Sequence, residues 1–392
     1  MQAGAARTTL ARLDALPMRI PILARFALFA SASHVIIAVQ LAFWPLFLAA
    51  RGLDATEMGI VTGIGLWARV AAHPLVGFFA DFSGDRRRVM LILSVFAFLS
   101  FGLYVPAHGF WPMLLIGTVS GIAFATALPL ADNAVLQSGV DYGRFRIWAS
   151  LTFLVVTLAI GELLKRAPPD SLVVLLLIGS ALMGLSVCAM PRGDGPAARR
   201  SDPGAWRSLI RGRHLLFLAA AALIQASHLV YYGYSSLYWK GLGYGTDVIG
   251  WLWAEGVVAE IMLFYWASRL FRGANPAHLL LLGGAAGVLR WTVLASATSL
   301  WALAAVNFMH CFTFAAAHLG AMYYLLRNAP ASHAGTAQSL YSATLGLGFG
   351  LVAFFAGALY DAVGGSAFYA MATMSGAGAA AALLLGRLAT KS

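Results

Sequence analysis

The chain has 392 residues, of which 60% are hydrophobic and only 10% are charged, and its mean hydropathy is +0.80. Soluble domains are closer to half apolar and a quarter charged, so this composition excludes a soluble enzyme, a secreted scaffold and a disordered protein. The formal net charge of +11 would suggest nucleic acid in a soluble chain, but in a membrane protein it must first be compared with the cytoplasmic bias of Lys and Arg.

Long apolar runs predict twelve membrane-spanning helices, at ~20 residues per span. Their approximate limits are 22–48, 57–80, 89–107, 110–136, 146–164, 171–190, 214–239, 248–268, 277–297, 299–326, 334–360 and 366–386. The stretch 191–213 is rich in Gly, Pro and Arg and is interpreted as a cytoplasmic linker. The sequence therefore predicts an all-α polytopic membrane protein with two six-helix bundles, 1–190 and 214–392.

Basic residues fall mainly on one side of these spans. With the N-terminus inside, 20 of the 26 Lys and Arg residues lie in cytoplasmic segments, 4 lie in outer loops and 2 lie within spans. This distribution predicts that both termini are cytoplasmic, and we expect a bacterial inner membrane. The basic excess then reports topology, so we expect no nucleic-acid partner.

A short internal repeat relates the two halves. Gly52 and Gly59, before and at the start of the second span, recur as Gly243 and Gly250 at an offset of 191 residues. A duplicated six-helix unit predicts such an offset, and duplicated bundles are a common plan among transporters.

The loop after the second span carries glycine, aspartate and arginine at close spacing. The candidate gating residues are Gly77, Asp81, Gly84, Arg86 and Arg87. Glycine allows a tight turn and a close helix approach, and Asp81 can pair with an arginine or cap a helix end. A plain basic cytoplasmic loop is the alternative.

This loop resembles the signature loop of the major facilitator superfamily, with Phe82 in place of the usual basic residue and Asp85 inserted. Asp132, near the cytoplasmic end of span 4, and Arg144, just beyond it, are further candidates for a gate or a helix-end pair.

Further segments resemble the phenylpropionate-permease branch of that superfamily, which is related to lactose permease. They read FWPLFLAARGLDATEMG (43–59), PLADNAVL (129–136), DYGRFRIWAS (141–150), VVAEI (257–261), LRW (289–291), NFMHCFTFAAAHL (307–319), LYSATLGLGFG (340–350) and GALYD (357–361). The resemblance covers residues from about 20 to 385. It implies a two-bundle secondary transporter that couples a solute to protons.

Ionisable residues within spans need a reason, because a charge at membrane depth costs ~2.5–3.5 kcal/mol on insertion scales. Glu260 in span 8 and Arg290 in span 9 are expected near the midplane of neighbouring antiparallel helices, where they can form a pair. Arginine stabilises the charged carboxylate and desolvation opposes it, so the pair is a candidate proton site, with a static ion pair as the alternative. The resemblance implies proton coupling by both residues, and Glu255 is a reserve.

Span 10 carries Asn307, His310, Phe314 and His318 at helical spacing, which predicts a stripe that lines the cavity. His310 is a candidate for the proton relay because histidine titrates near neutral pH. Lactose-permease-like proteins place a glutamate one turn after this histidine, whereas Thr313 stands here. The predicted proton carrier is therefore Glu260.

Arg69 in span 2 lies 191 residues before Glu260, so the two halves present opposite charges at matching depths. It can pair across the cavity, bind an anionic substrate or only pack within the bundle. The first span of each half supplies further candidate substrate ligands, which are His34, Gln40, Gln225 and His228, and Asn307 and His318 join them from span 10.

We expect a proton-coupled symporter that imports a small organic solute, with an aromatic monocarboxylate such as phenylpropionate in first place. A sugar or a nucleoside is the alternative substrate, and a non-transporting sensor is an alternative function. The sequence shows no metal-ligand spacing, no catalytic constellation and no Gly-rich phosphate loop, which argues against an enzyme, a primary pump and any cofactor. One chain holds both bundles, so a monomer suffices.

Overall fold

A computed structural model describes residues 21–140, 142–190, 212–329 and 334–389. These residues are helical almost throughout, and no strand occurs among them. The helical segments are α1 (Ile22–Ala50), α2 (Ala55–Ser83), α3 (Arg86–Gly102), α4 (Phe110–Gln137), α5 (Tyr142–Leu163), α6 (Ser171–Ala189), α7 (Gly212–Gly241), α8 (Thr246–Leu270), α9 (Pro276–Ser296), α10 (Leu300–Asn328), α11 (Ala334–Val363) and α12 (Ala367–Ala389). The predicted all-helical class is confirmed.

Ten stretches of the described residues are long and apolar enough to cross a membrane. One of them, Ala337–Leu388, contains both α11 and α12. The helix α3, with 17 residues, is not among the ten. Large apolar side chains on the outside, such as Trp301 (84% exposed) and Leu326 (81% exposed), suit contact with lipid rather than water.

Three of the helices are interrupted. In α1 a π-helical turn, Val39–Phe43, separates the pieces Ile22–Ala38 and Trp44–Ala50. In α10 a second π-helical turn covers Cys311–Ala316, and α7 breaks at Ser227 and His228. Such turns change which side chains share a helix face, and they are frequent at functional sites.

The helices of the first half pack in a pattern that the second half repeats. Helix α1 packs on α5 and α6, α3 packs on α4 and α6, and α2 packs on α4. In the same way α7 packs on α11 and α12, α9 packs on α10 and α12, and α8 packs on α10. The halves meet mainly where α2 crosses α11 and where α5 crosses α8.

We call the first of these contacts the α2–α11 seam, and glycines bring its two backbones together. A Cβ on Gly59 would lie 2.6 Å from the carbonyl oxygen of Ala353. A Cβ on Gly357 would collide with the carbonyl oxygen of Ala55. Only glycine fits such close helix approaches, so at these two points the seam is a contact of main chain on main chain, whereas further along it Trp67 of α2 donates to the carbonyl of Leu347 on α11.

The α5–α8 seam is built in the same way. A Cβ on Gly161 would lie 2.7 Å from the carbonyl oxygen of Thr246, and a Cβ on Gly250 would lie 3.1 Å from that of Thr157. The close contacts of both seams lie towards the helix ends that the charge pattern assigns to the outside. The molecule is therefore tightly closed at that end, which we call the outer end.

Candidate functional site

A cavity of about 420 Å³ lies between the two halves, with walls from α1, α2, α4, α7 and α11. Its aromatic lining includes Trp44, Tyr104, Phe124, Tyr232, Tyr234 and Phe349. Few of the lining side chains are polar, and among these are Gln40, Thr62 and Arg69. A mainly apolar wall with a few polar groups is typical of small-molecule sites.

Arg69 is the cationic side chain in this wall. Its guanidinium packs against the main chain of Gly121 on α4, where a Cβ would lie 2.6 Å from Nη2. Its Nε is buried without a hydrogen-bond acceptor, and no hydrogen bond or ion pair joins Arg69 to another described residue. Arg69 is half-buried, and a guanidinium in a cavity wall without an acidic neighbour is suited to binding an anion.

A second polar group lies within the C-terminal half, centred on Arg290 of α9, which is 0% exposed. Its Nη1 donates to Nδ1 of His310 at 3.0 Å and to Oγ1 of Thr313 at 3.0 Å. Its Nη2 donates to Oδ1 of Asn307 at 3.1 Å, and its guanidinium lies 4.4 Å from the centre of the Tyr231 ring. This cation is held entirely by neutral groups.

The predicted direct pair of Arg290 and Glu260 is not formed, because His310 lies between them. Nε2 of His310 is 3.7 Å from Oε2 of Glu260, whose side chain is 25% exposed. Since Nδ1 of His310 accepts from Arg290, the histidine proton belongs on Nε2 and faces the carboxylate. The three side chains therefore lie in a row, Arg290–His310–Glu260, as the predicted proton relay would require.

His228 and Gln225 extend this network on its far side. Nε2 of His228 lies 3.0 Å from Oγ1 of Thr313, and Nδ1 lies 3.0 Å from the carbonyl oxygen of Gln225. The amide of Gln225 donates to the carbonyl of Phe314 at 3.4 Å. Both side chains are buried in the C-terminal half, and Oε1 of Gln225 has no hydrogen-bond partner there.

The structure separates the predicted substrate ligands into two groups. Gln40 and Arg69 line the cavity, whereas His34, Gln225, His228, Asn307 and His318 are not in its wall. Nδ1 of His34 contacts the carbonyl of Ala30 at 2.9 Å within α1. The ring of His318 stacks on Phe314 at 6.2 Å. Glu255, the reserve proton site, is half-buried on α8 outside the relay.

The glycine-rich loop forms a tight connection between α2 and α3. Gly84 has a φ of +63°, which favours glycine, and Asp85 caps α3 by accepting from the backbone N–H of Arg88 at 2.9 Å. The inserted Asp85 therefore has a structural role. A Cβ on Gly77 would meet nothing within 4 Å, so that glycine is not required by packing here.

The arginines of this loop bind within the N-terminal half. Arg86 donates to Oδ1 of Asn133 at 3.1 Å and to Oε1 of Gln137 at 3.0 Å, both on α4. Arg87 donates to the carbonyls of Val187 at 3.2 Å and of Cys188 at the end of α6.

The remaining candidate gating residues are Asp81, Asp132 and Arg144. The side chain of Asp81 lies outside the described residues. Asp132 is half-buried near the end of α4, and Arg144 is exposed near the start of α5.

Two contributors were not predicted from the sequence. Thr313 stands where the resemblance predicts a glutamate, yet its hydroxyl binds both Arg290 and His228. Its spacing of three residues from His310 is the sequence signal that could have indicated this contact. Tyr104 lies just after α3, is 1% exposed and lines the cavity beside Trp44; its sequence neighbourhood gives no such signal.

Comparisons with known proteins agree on the class of molecule. Residues 23–371 match the MFS_1 like family. The chain is 33% identical to the "Probable 3-phenylpropionic acid transporter" of Escherichia coli (strain K12), over 86% of this chain and 91% of that protein. It is 30% identical to the "Maltose permease" of Geobacillus stearothermophilus, over 77% of each chain. The crystal structure of the nucleoside transporter NupG superposes with a TM-score of 0.80 at 15% identity, covering 93% of this chain and 99% of that one.

The chain therefore belongs to the MFS_1 like family, as its resemblance to major facilitator transporters predicted. Its fold is that of the major facilitator transporters, and its ten apolar stretches indicate a multi-pass membrane protein.

Proposed function

We propose that this chain is a proton-coupled symporter that imports a small organic solute, with an aromatic monocarboxylate such as 3-phenylpropionate as the first candidate. The observation that carries the proposal is Arg69, an unpaired guanidinium in the wall of an aromatic-lined cavity of about 420 Å³. The named relative from Escherichia coli supports the same substrate class.

The proposed topology has α1 to α12 all crossing a bacterial inner membrane, with both termini in the cytoplasm. One of the ten apolar stretches, Ala337–Leu388, has 52 residues, which is enough for two spans, and the turn Gly364–Ser366 divides it. The 17 residues of α3 extend about 25 Å, close to the thickness of the hydrocarbon core. One split stretch and α3 raise ten spans to twelve.

Alternating access is proposed to move one bundle, 1–190, against the other, 214–392, within a monomer. The repeated packing pattern of the two halves supports this division, as inverted or duplicated bundles that rock about a central site are a common transporter design. The crossing points at Gly59, Gly161 and Gly357 are suitable pivots because glycine lets the helix backbones approach closely there.

In the proposed substrate complex, the carboxylate binds Arg69 and the ring lies among the aromatic side chains. Planar guanidinium and carboxylate groups can form two parallel charge-assisted hydrogen bonds. The apolar wall favours burial of a phenyl ring. Substrate entry thereby supplies the partner that Arg69 lacks in the empty cavity.

Glu260 is proposed as the proton carrier, with Glu255 as reserve. Its charged form is stabilised by the Nε2–H of His310 and, behind it, by the charge of Arg290. Its protonated form is favoured where water is excluded. A movement that changes water access to Glu260 then changes its protonation, and proton and substrate couple if both favour the same reorienting state.

A sugar is the second candidate substrate, since a relative of 30% identity is named a maltose permease. Gln40 and Thr62 offer the cavity neutral polar groups that suit hydroxyls. A nucleoside and a sensor role are separated from the leading proposal by the same experiment.

The test is uptake of labelled 3-phenylpropionate into proteoliposomes of the purified protein under an imposed inward proton gradient. We expect accumulation above equilibrium that a protonophore abolishes and that replacement of sodium by choline leaves intact. Preferential uptake of maltose or uridine would overturn the substrate assignment. Binding of the acid without uptake would favour a sensor, and accumulation that ignores the proton gradient would overturn the coupling.

A further inference from the structure

Polar contacts between the two halves close the outer ends of both seams. On the α5–α8 seam, Nζ of Lys165 lies 3.2 Å from Glu162 of its own half and 3.3 Å from Asp247 of α8. Hydrogen bonds to Glu162 and then to Asp247 raise the pKa of Lys165, so the ammonium stays charged. The hydroxyl of Thr246 also donates to the carbonyl of Gly161 at 2.7 Å.

On the α2–α11 seam the contact is a carboxylate on a helix end. Asp361, exposed at the end of α11, accepts hydrogen bonds from the backbone N–H of Ala55 at 3.1 Å and that of Thr56 at 2.7 Å. It also accepts from the hydroxyl of Thr56 at 2.5 Å. On the other side of the same turn, the hydroxyl of Tyr234 on α7 donates to the carbonyl of Ala55 at 3.0 Å.

These bonds matter because α2 begins at this point. The first N–H groups of a helix have no acceptor within it, and the helix end favours negative charge. Asp54 accepts from the N–H of Glu57 at 2.7 Å and caps the turn from within. The N–H groups of Ala55 and Thr56 depend instead on Asp361, which belongs to the other half.

We propose that Asp361 is the latch of the outer gate. Its carboxylate completes the first turn of α2 only while the outer end is closed. Opening that end carries α11 away from α2, so the latch must release Ala55 and Thr56 to water. The latch therefore sets how often the empty protein faces outward.

The test measures how fast a reagent from outside reaches the cavity beneath the latch. Met58 lines the cavity and is 4% exposed, so a Met58→Cys thiol marks outward opening in a Cys188→Ser/Cys311→Ala background. Intact cells are treated with a membrane-impermeant maleimide, without substrate. We expect Asp361→Ala to raise the labelling rate about tenfold, the scale of one or two hydrogen bonds to a charged group.

Glu57→Gln is the matched control. It removes a carboxylate from the same turn, but that carboxylate accepts only from the N–H of Asp54 in its own half, so the labelling rate should stay at the parent value. Thr56→Ala removes one of the three bonds and should raise the rate about threefold. Equal rates for Asp361→Ala and Glu57→Gln would overturn the latch.

Two further measurements keep the result decisive. If Asp361→Ala does not reach the membrane, Thr56→Ala decides, and an unchanged rate there overturns the proposal. Labelling of Lys240→Cys, exposed in the last turn of α7, checks the topology on which the latch rests, and its absence would overturn both the topology and the latch. Because the labelling measures opening without substrate and not uptake, failure of the latch leaves the proposed transport function untouched.

Discussion

Replacing Arg69 by glutamine tests the proposed substrate site most directly. In the empty cavity this guanidinium has no hydrogen-bond or ion-pair partner among the described residues, so the substitution breaks no bond there. In the complex it removes a charge-assisted bond to the carboxylate, worth about 1.5–3 kcal/mol net. The Kd for 3-phenylpropionate should therefore rise about 10- to 150-fold.

The assay compares this acid with its neutral analogue, 3-phenylpropanamide, by equilibrium binding to the purified protein. We expect Arg69→Gln to weaken binding of the acid and to leave the amide nearly unchanged, because only the acid carries a charge. The Tm of the empty variant should equal or exceed that of the parent, since an unpaired buried cation has been removed.

Arg290→Gln is the control for an arginine that does not line the cavity. Its guanidinium donates to three side chains of α10, so the change should lower Tm without discriminating the acid from the amide. Equal losses of affinity for both ligands in Arg69→Gln, or a drop in Tm like that of Arg290→Gln, would refute the assignment of Arg69 as the carboxylate partner.

Further predictions concern the relay and the seam. Glu260→Gln should abolish uphill accumulation and spare downhill exchange, because the proton carrier is lost; retained accumulation would contradict this role. In double-mutant cycles on the free energy of unfolding, Glu260 should couple to His310, its neighbour at 3.7 Å, more strongly than to Arg290, which it does not touch. A larger coupling to Arg290 would argue against the relay. Gly357→Ala places a Cβ against the start of α2 and should slow transport at least several-fold, as only glycine fits there. The same change at Gly102, where the nearest atom lies at 3.9 Å, should have little effect, and equal rates in the two variants would contradict the close packing.

The helices could be predicted because long apolar runs have few alternative structures in a membrane protein. Their interruptions could not. The π-helical turn Val39–Phe43 is followed by Pro45, which lacks the N–H that a regular helix would use there, whereas Cys311–Ala316 contains neither Gly nor Pro. Boundaries also moved: α3 begins at Arg86, after the capping Asp85, and ends at Gly102, where the sequence predicted 89–107.

The site could be predicted in its residues but not in its connections. Their depth in the predicted spans identified Glu260, Arg290 and Arg69 as charged residues whose cost in a membrane requires a structural or functional role. Which of them touch depends on the rotation of α10, and the change of helical repeat after His310 cannot be read from spacing alone. The bond between Asp361 and Thr56 joins residues 305 positions apart, and only the packed halves bring them together.

The glycine seams bear on how specificity can diverge in this family. Since the two halves touch through main chain at Gly59, Gly161 and Gly357, these crossing points place little demand on the identity of cavity side chains. Substrate preference can then change by substitution of a few cavity-lining residues without any change at the crossing glycines. Redesign of the carrier for another solute should accordingly begin at Gln40, Thr62 and Arg69 and leave the crossing glycines unaltered.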